Sequence, residues 1–168
     1  MPADPAIAFR PYRSADAPAI TAIYAHYVLT SVVTFDLEPP GEAVIAAKYA
    51  AIAELGHPLF VAEAAGEVIG YAYASTFRPR PAYRFTCEDS VYLHPGHTGR
   101  GLGSRMLEKL IGDARAGGFH QMVAVITGGT GNSIALHRRF GFDLLGTFPR
   151  LGYKFGRWLD VVHMQREL

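Results

Sequence analysis

The sequence predicts an α/β fold in which helices flank a single mixed, mainly antiparallel sheet. After a short strand come two helical patterns, then a hairpin-like pair of apolar, aromatic segments, and then strand and helix patterns that alternate to the end. Helical periodicity and short apolar runs bounded by Gly and Pro carry these assignments. An order of this kind buries one sheet beneath helices. The 168 residues contain no repeat or low-complexity linker, so we expect one domain over 1–168.

The element boundaries follow from periodicity and chain breakers. Apolar residues from Ile20 to Val28 fall at i, i+3, i+4, i+7 and i+8, which is one face of a helix. A second helix around Tyr49 ends near Gly56 and Pro58. In chain order, the predicted elements are a strand over 6–10, helices around 20–28 and 45–52, strands over 59–63, 68–76 and 85–93, a helix over 102–116, a strand over 122–127, a loop over 128–131, a helix over 133–140, and strands over 142–148 and 161–166.

The composition narrows the class of protein. Lys plus Arg number 16 and Asp plus Glu 15, so the net charge of +1 predicts neither a nucleic-acid partner nor an anionic membrane partner. The single cysteine, Cys87, excludes an intrachain disulfide and suits a reducing compartment. The first residues do not read as a signal peptide, and no apolar stretch approaches the roughly 18 residues of a membrane span. We therefore expect a cytoplasmic protein.

A strand, a glycine-rich loop and a helix follow one another over 85–116, and together they predict an anion site. Gly99, Gly101 and Gly103 allow close backbone approach, and the first amides of the helix point outward without internal partners. The helix dipole adds to this preference for a pyrophosphate. The Walker pattern is absent, and Ser104 breaks the spacing of the dinucleotide pattern. A turn that merely caps a helix is the alternative.

Two segments resemble motifs of the GNAT superfamily of N-acetyltransferases. Residues 98–103 resemble its pyrophosphate loop, Gln/Arg-x-x-Gly-x-Gly/Ala, with Thr98 in place of the usual Gln or Arg. Residues 131–142 resemble the Asn-to-Gly-Phe segment that lines the pantetheine and thioester. The resemblance implies a GNAT-like fold and acetyl-CoA as cosubstrate, without a metal. It implies cofactor contacts from Val91, Tyr92, Leu93, Thr98, Gly99, Arg100, Gly101, Leu102, Gly103, Ser104 and Asn132.

Finer features resemble one branch of that superfamily, the phosphinothricin N-acetyltransferases, whose relatives acetylate methionine sulfoximine and methionine sulfone. The resemblance lies in residues 34–36, 85–93 and 152–161. It implies direct transfer of an acetyl group to the primary amine of a small amino-acid-like substrate in a ternary complex. It also implies a homodimer with its sites near the interface.

Acyl transfer to an amine needs a base for the ammonium proton, and the departing thiolate can also take up a proton. Glu88 lies on the strand that enters the loop, at the position of the family's proposed base. His137 replaces a tyrosine acid found in many relatives, and it could protonate the thiolate, orient the substrate or share the base role. Because side chains alternate along a strand, Asp89 and Cys87 face away from the Glu88 side of the sheet. This argues against Asp89 as the base and against Cys87 as a nucleophile. A salt-bridged surface glutamate and a structural histidine are the alternatives.

A basic cluster precedes Glu88. Guanidinium groups suit carboxylates and phosphinates, and Arg78, Arg80 and Arg84 flank Tyr83. The branch resemblance implies substrate contacts from Arg78, Arg80 and Tyr83, and a pocket wall formed by Phe35. A solvated basic loop and a core phenylalanine are the alternatives.

Other functions fit parts of the pattern. His94 and His97 lack a third ligand, so the sequence predicts no metal site. A related enzyme could acetylate another amino acid, a polyamine, an aminoglycoside or a protein N-terminus. A protein that binds acetyl-CoA as a sensor, without turnover, is a further alternative, against which Glu88 and His137 together argue.

Overall fold

The computed structural model describes residues 6–128 and 130–168, where seven strands form one sheet and four α-helices pack against it. The predicted loop over 128–131 includes Gly129, which lies outside the described residues. In chain order, the elements are β1 (Ala8–Pro11), α1 (Ala17–Thr30), α2 (Glu42–Glu54), β2 (Leu59–Ala64), β3 (Glu67–Thr76), β4 (Thr86–Leu93), α3 (Leu102–Ala116), β5 (Gln121–Thr127), α4 (Gly131–Arg139), β6 (Asp143–Lys154) and β7 (Arg157–Glu167).

The sheet has the order β1-β2-β3-β4-β5-β7-β6. Every neighbouring pair is antiparallel except β4 and β5, which run parallel. This confirms the mixed, mainly antiparallel sheet. The parallel pairing joins only Thr86–Glu88 to Gln121–Val123. Both strands continue beyond that pairing, which leaves a gap between their carboxyl ends.

Two apolar clusters cover the two faces of the sheet. One contains Cys87, Met106 and Met122 beneath α3, and the other contains Ile20 and Tyr71 beneath α1 and α2. Successive strand residues face opposite sides, so Cys87 lies on the α3 face and Glu88 on the α1 face. Burial raises the pKa of the Cys87 thiol to about 12. The thiol therefore packs in the core as predicted and is not an activated nucleophile.

The last hairpin is longer than the sequence predicts. β6 extends to Lys154 and β7 begins at Arg157, whereas the predicted strands end at 148 and begin at 161. Phe155 and Gly156 join them as a two-residue turn, and both have positive φ, at 51° and 74°. Such turns need positive φ at both central positions, which phenylalanine rarely adopts. That is why the turn was not recognised from the sequence.

Within the described residues, no helix is long and apolar enough to cross a membrane. No cluster of three or more His, Cys, Asp or Glu side chains in that same part of the chain could hold a metal ion.

Candidate active site

A cleft of about 680 Å³ occupies the gap where β4 and β5 separate. Residues from β4, the glycine-rich loop, β5 and the start of α4 line it. The gap exists because parallel pairing stops at Glu88 and Val123. Main-chain groups beyond that point have no partner from the opposite strand, so they face the cleft and can bind a ligand.

The glycine-rich loop forms one end of the cleft. Gly99 and Gly101 have φ of 76° and 78°, and Gly101 is the N-cap of α3. The first main-chain bond of the helix runs from the Arg105 amide to the Gly101 carbonyl, at 3.3 Å. The amides of residues 102–104 therefore have no partner within the helix. Unpaired amides in this arrangement are able to bind an anion.

The side chains of the loop differ in what they contact. Thr98 lines the cleft, but its hydroxyl donates to the Pro95 carbonyl at 3.2 Å and so stabilises the turn. Gly103 and Ser104 line the cleft. Leu102 instead packs in the core at 2% exposure. Arg100 is exposed and is not among the residues that line the cleft. The main chain of 98–104, more than its side chains, thus forms this part of the cleft.

The β4 main chain forms one wall. The His94 amide donates to the Ile69 carbonyl of β3 at 2.8 Å, and hydrogen-bonded pairs alternate along an antiparallel ladder. By this alternation Tyr92 directs its main-chain groups to β3, whereas Val91 and Leu93 direct theirs to the cleft. The Tyr27 hydroxyl donates to the Leu93 carbonyl at 2.6 Å, in agreement. The Leu93 amide therefore faces the cleft, whereas the Tyr92 amide does not.

Glu88 lies at the point where the two strands separate, and it lines the cleft. No described residue donates a hydrogen bond to its carboxylate. Burial and the nearby Asp89 charge raise the Glu88 pKa, and Lys48 partly opposes that shift. A carboxyl group with a raised pKa is better matched to proton abstraction near neutral pH. The structure thus gives Glu88 the surroundings that a general base needs.

His137 and Asp89 lie together on the other face of β4. The His137 Nε2 is 3.0 Å from Asp89 Oδ2, and Nδ1 is 2.7 Å from the Ser133 carbonyl oxygen. The side chains are only 8% and 4% exposed. Sequence reasoning placed Asp89 opposite Glu88 correctly, but did not pair it with His137. Asn132, near the start of α4, lines the cleft.

The predicted substrate residues lie outside this lining. Arg78, Arg80 and Tyr83 are on the exposed segment between β3 and β4. Tyr83 packs edge-on against Phe77 at 5.6 Å between ring centroids. Phe35 is 41% exposed and packs against β6. The structure therefore does not bring these four side chains together with Glu88 in one cleft.

Lys48 was not predicted from the sequence. Its Nζ donates to the Tyr73 hydroxyl at 3.0 Å and lies 4.9 Å from the centroid of the same ring. It also lies over the rings of Tyr24 and Tyr49. A lysine on α2 gives no motif signal, and only the fold places its charge near Glu88.

Comparison with known proteins identifies close relatives. Residues 20–142 match the sequence profile of the Acetyltransferase (GNAT) family. The chain is 46% identical over 161 residues to a phosphinothricin N-acetyltransferase of Alcaligenes faecalis, and the alignment covers 95% of this chain and 81% of the relative. It is also 46% identical over 155 residues to an L-methionine sulfoximine/L-methionine sulfone acetyltransferase of Pseudomonas paraeruginosa, covering 92% and 90% of the two chains.

A solved structure agrees with these relatives. The GNAT superfamily phosphinothricin acetyltransferase from Sinorhizobium meliloti, crystallised in complex with acetyl-CoA, superposes with a TM-score of 0.94. The two chains are 48% identical, and the superposition covers 96% of this chain and 88% of the other. The sheet order and the cleft described above therefore belong to a fold that has been solved with a ligand.

Proposed function

This chain belongs to the acetyltransferase (GNAT) family and is an N-acetyltransferase, and from that premise we propose that it moves the acetyl group of acetyl-CoA to the primary amine of a small, amino-acid-like molecule. The observation that carries the proposal is the gap between β4 and β5, with unpaired helix amides at one end and Glu88 at the other. A pyrophosphate fits the amides, and an extended pantetheine fits a wall of main-chain groups.

Glu88 is the general base in this proposal. It takes the proton of the substrate ammonium, directly or through water, and the neutral amine then attacks the thioester carbonyl. The C–S bond breaks as the CoA thiolate leaves, and the thiolate takes up the proton that the new amide nitrogen loses. The Leu93 amide faces the cleft and is the candidate donor to the carbonyl oxygen as negative charge develops there. Asn132 supplies donors and acceptors to the pantetheine amides. We do not assign the base to His137, because both of its ring nitrogens already face acceptors.

Phosphinothricin, methionine sulfoximine and methionine sulfone are the acceptors that the relatives' names support. Each is an amino acid with a carboxylate, and Arg78 and Arg80 provide exposed guanidinium groups close in sequence to Glu88. Tyr83 and Phe35 complete the proposed substrate contacts. Acceptors of other classes, such as polyamines, would favour acidic rather than basic surroundings.

A homodimer in the cytoplasm is also part of the proposal. β6 is an edge strand of 12 residues, and long apolar edges are normally covered. Its side chains Leu145, Phe148 and Leu151 are 60%, 50% and 60% exposed. A second copy would bury them. Sedimentation should show a dimer that Leu151→Asp dissociates. Leu55→Asp, at a position just after α2 that is 63% exposed, should leave the dimer intact. A monomeric wild-type protein would contradict the proposed homodimer.

The acceptor is tested with a panel of amines, in which the free CoA thiol is measured. We expect turnover on phosphinothricin or methionine sulfoximine to exceed that on polyamines, aminoglycosides and peptide N-termini. Arg80→Ala should raise the KM of the amino-acid acceptors, with Arg84→Ala as the matched control. Turnover confined to another amine class would reject the acceptor, and tight acetyl-CoA binding without turnover on any amine would identify a sensor.

A further inference from the structure

His137 connects the two walls of the cleft. It projects from α4, which lines one side, and contacts Asp89 of β4, which lines the other. The ring is held at both nitrogens, by Asp89 Oδ2 at 3.0 Å and by the Ser133 carbonyl at 2.7 Å. The Ser133 hydroxyl lies farther from Nδ1, at 3.5 Å, so the carbonyl is the main partner of that nitrogen. An edge-on contact with Phe142, at 4.9 Å between ring centroids, fixes the ring plane. The ring thus has no nitrogen left over for a ligand.

The two partners decide the charge of the ring. A carbonyl oxygen only accepts hydrogen bonds, and so does a carboxylate. A neutral imidazole carries one N–H and would leave one of these contacts unsatisfied in a buried place. The imidazolium carries two N–H groups and satisfies both. The same contacts raise the His137 pKa against the opposing effect of burial.

The charged groups around the pair are few. Asp89 and the Ser133 carbonyl are the described groups that act on the ring in favour of its charge. Cys87, on the same strand, stays protonated, and Glu88 points to the opposite face. Arg139 of α4 lines the cleft and forms neither a hydrogen bond nor a ring contact with His137. Asp89 therefore determines the protonation of His137.

We propose that Asp89 is a positioning residue, which holds His137 as an imidazolium and thereby ties α4 to β4 across the acetyl-CoA cleft. This rests on the proposed function for the identity of the ligand. The pair is a fixed support for the cleft, and neither partner transfers a proton during the reaction. The second Asp89 oxygen, Oδ1, is buried and has no hydrogen-bond partner among the described residues.

Nitrogen NMR of the His137 ring tests the charge directly and does not depend on turnover. In the wild type we expect both ring nitrogens to be protonated at neutral pH. The titration midpoint of the ring should lie above the ordinary histidine value of about 6.5. Asp89→Asn should lower that midpoint by about one pH unit or more. The matched control is Asp143→Asn, an exposed acid at the start of β6, which should leave it unchanged. A neutral wild-type ring at pH near 7 would overturn the proposal.

Kinetics separate positioning from proton transfer. Above the titration midpoint of the His137 ring, the Asp89–His137 contact that joins α4 to β4 weakens. The KM for acetyl-CoA should therefore rise while kcat stays level. Asp89→Asn should raise this KM about tenfold throughout, in line with the loss of a charged hydrogen bond. An alkaline fall in kcat with a solvent isotope effect, and an unchanged KM, would show proton transfer by His137 and overturn the proposal.

Two controls keep these outcomes distinct. If no amine is acetylated, the proposed function fails, whereas NMR and calorimetric binding of acetyl-CoA still test the pair. If Asp89→Asn does not fold, the wild-type titration and the pH dependence of acetyl-CoA binding decide the matter. Acetyl-CoA binding that does not change with pH across the titration midpoint of His137 would then contradict the proposed link between α4 and β4.

Discussion

Phe35 lies so close to Gly152 that a Cβ at position 152 would overlap its ring. The segment that carries Phe35 is fixed at two further points. The Lys154 Nζ donates to the Thr34 carbonyl at 2.8 Å, and the Thr127 hydroxyl donates to the Val32 carbonyl at 2.6 Å. β5 and β6 thus hold the segment after α1 beside the cleft, although its residues are distant in sequence.

Gly152→Ala should therefore displace Phe35. We expect a loss of about 1–3 kcal/mol in the free energy of unfolding, because the new methyl group has no space. The KM of the amine should rise if Phe35 forms the wall of the substrate pocket. Urea denaturation and acceptor kinetics measure the two effects. The control is Gly146→Ala on the same strand, where a Cβ meets nothing within 4 Å. Equal effects at both positions would contradict the account.

Gly101→Ala tests the anion loop. An alanine at φ of 78° is strained, which should cost roughly 1–2 kcal/mol of stability. Gly56→Ala, at φ of 69° after α2, introduces the same kind of strain away from the cleft. Both variants should lose similar stability in denaturation experiments, but only Gly101→Ala should weaken acetyl-CoA binding in calorimetry. If both bind like the wild type, the loop does not hold the cofactor.

The Glu88→Gln variant tests the assignment of Glu88 as the general base. Loss of proton abstraction should lower kcat by about 100- to 10,000-fold near neutral pH. The defect should shrink at high pH, where the amine is already neutral. Because burial raises the Glu88 pKa, the acidic limb of the wild-type profile should lie above the ordinary glutamate value of about 4.3. Glu54→Gln, on the exposed face of α2, is the control. A variant profile with the wild-type shape would remove Glu88 from this role.

The pKa of His137 predicts how stability depends on pH. The folded-state pKa is raised, so the contribution of the charged ring is complete below the unfolded value of about 6.5 and is lost as pH rises through the folded value. The difference in unfolding free energy between the wild type and His137→Gln should thus be larger at about pH 6 than at about pH 9. Urea titrations at both values measure it, and a difference that grows with pH would contradict the assignment.

The sequence allowed the element order and the anion loop to be predicted, because glycine spacing and apolar periodicity are local signals. Gly101 at positive φ agrees with such signals, whereas Leu102, which was expected to contact the cofactor, packs in the core. The long β6–β7 hairpin did not, because its turn places Phe155 at positive φ. Local pattern alone could not reveal a turn that the surrounding strands impose.

The chemistry of the site was predicted in part. Glu88 was located by its place on the strand before the loop, and the structure puts it where β4 and β5 separate. The contact between Asp89 and His137 joins residues 48 positions apart, and the position of Lys48 near Glu88 depends on the packing of α2. Contacts of this kind depend on tertiary structure, and a single sequence does not contain a local sign of them.

Transfer of labelled acetyl groups tests the central claim most directly. The purified protein is incubated with isotope-labelled acetyl-CoA and methionine sulfoximine, and both the small molecules and the intact protein are analysed by mass spectrometry. We predict one labelled acetyl group on the amine for each CoA released, and no label retained on the protein. CoA release without an N-acetylated product, or label that accumulates on the protein, would contradict direct transfer to an amine.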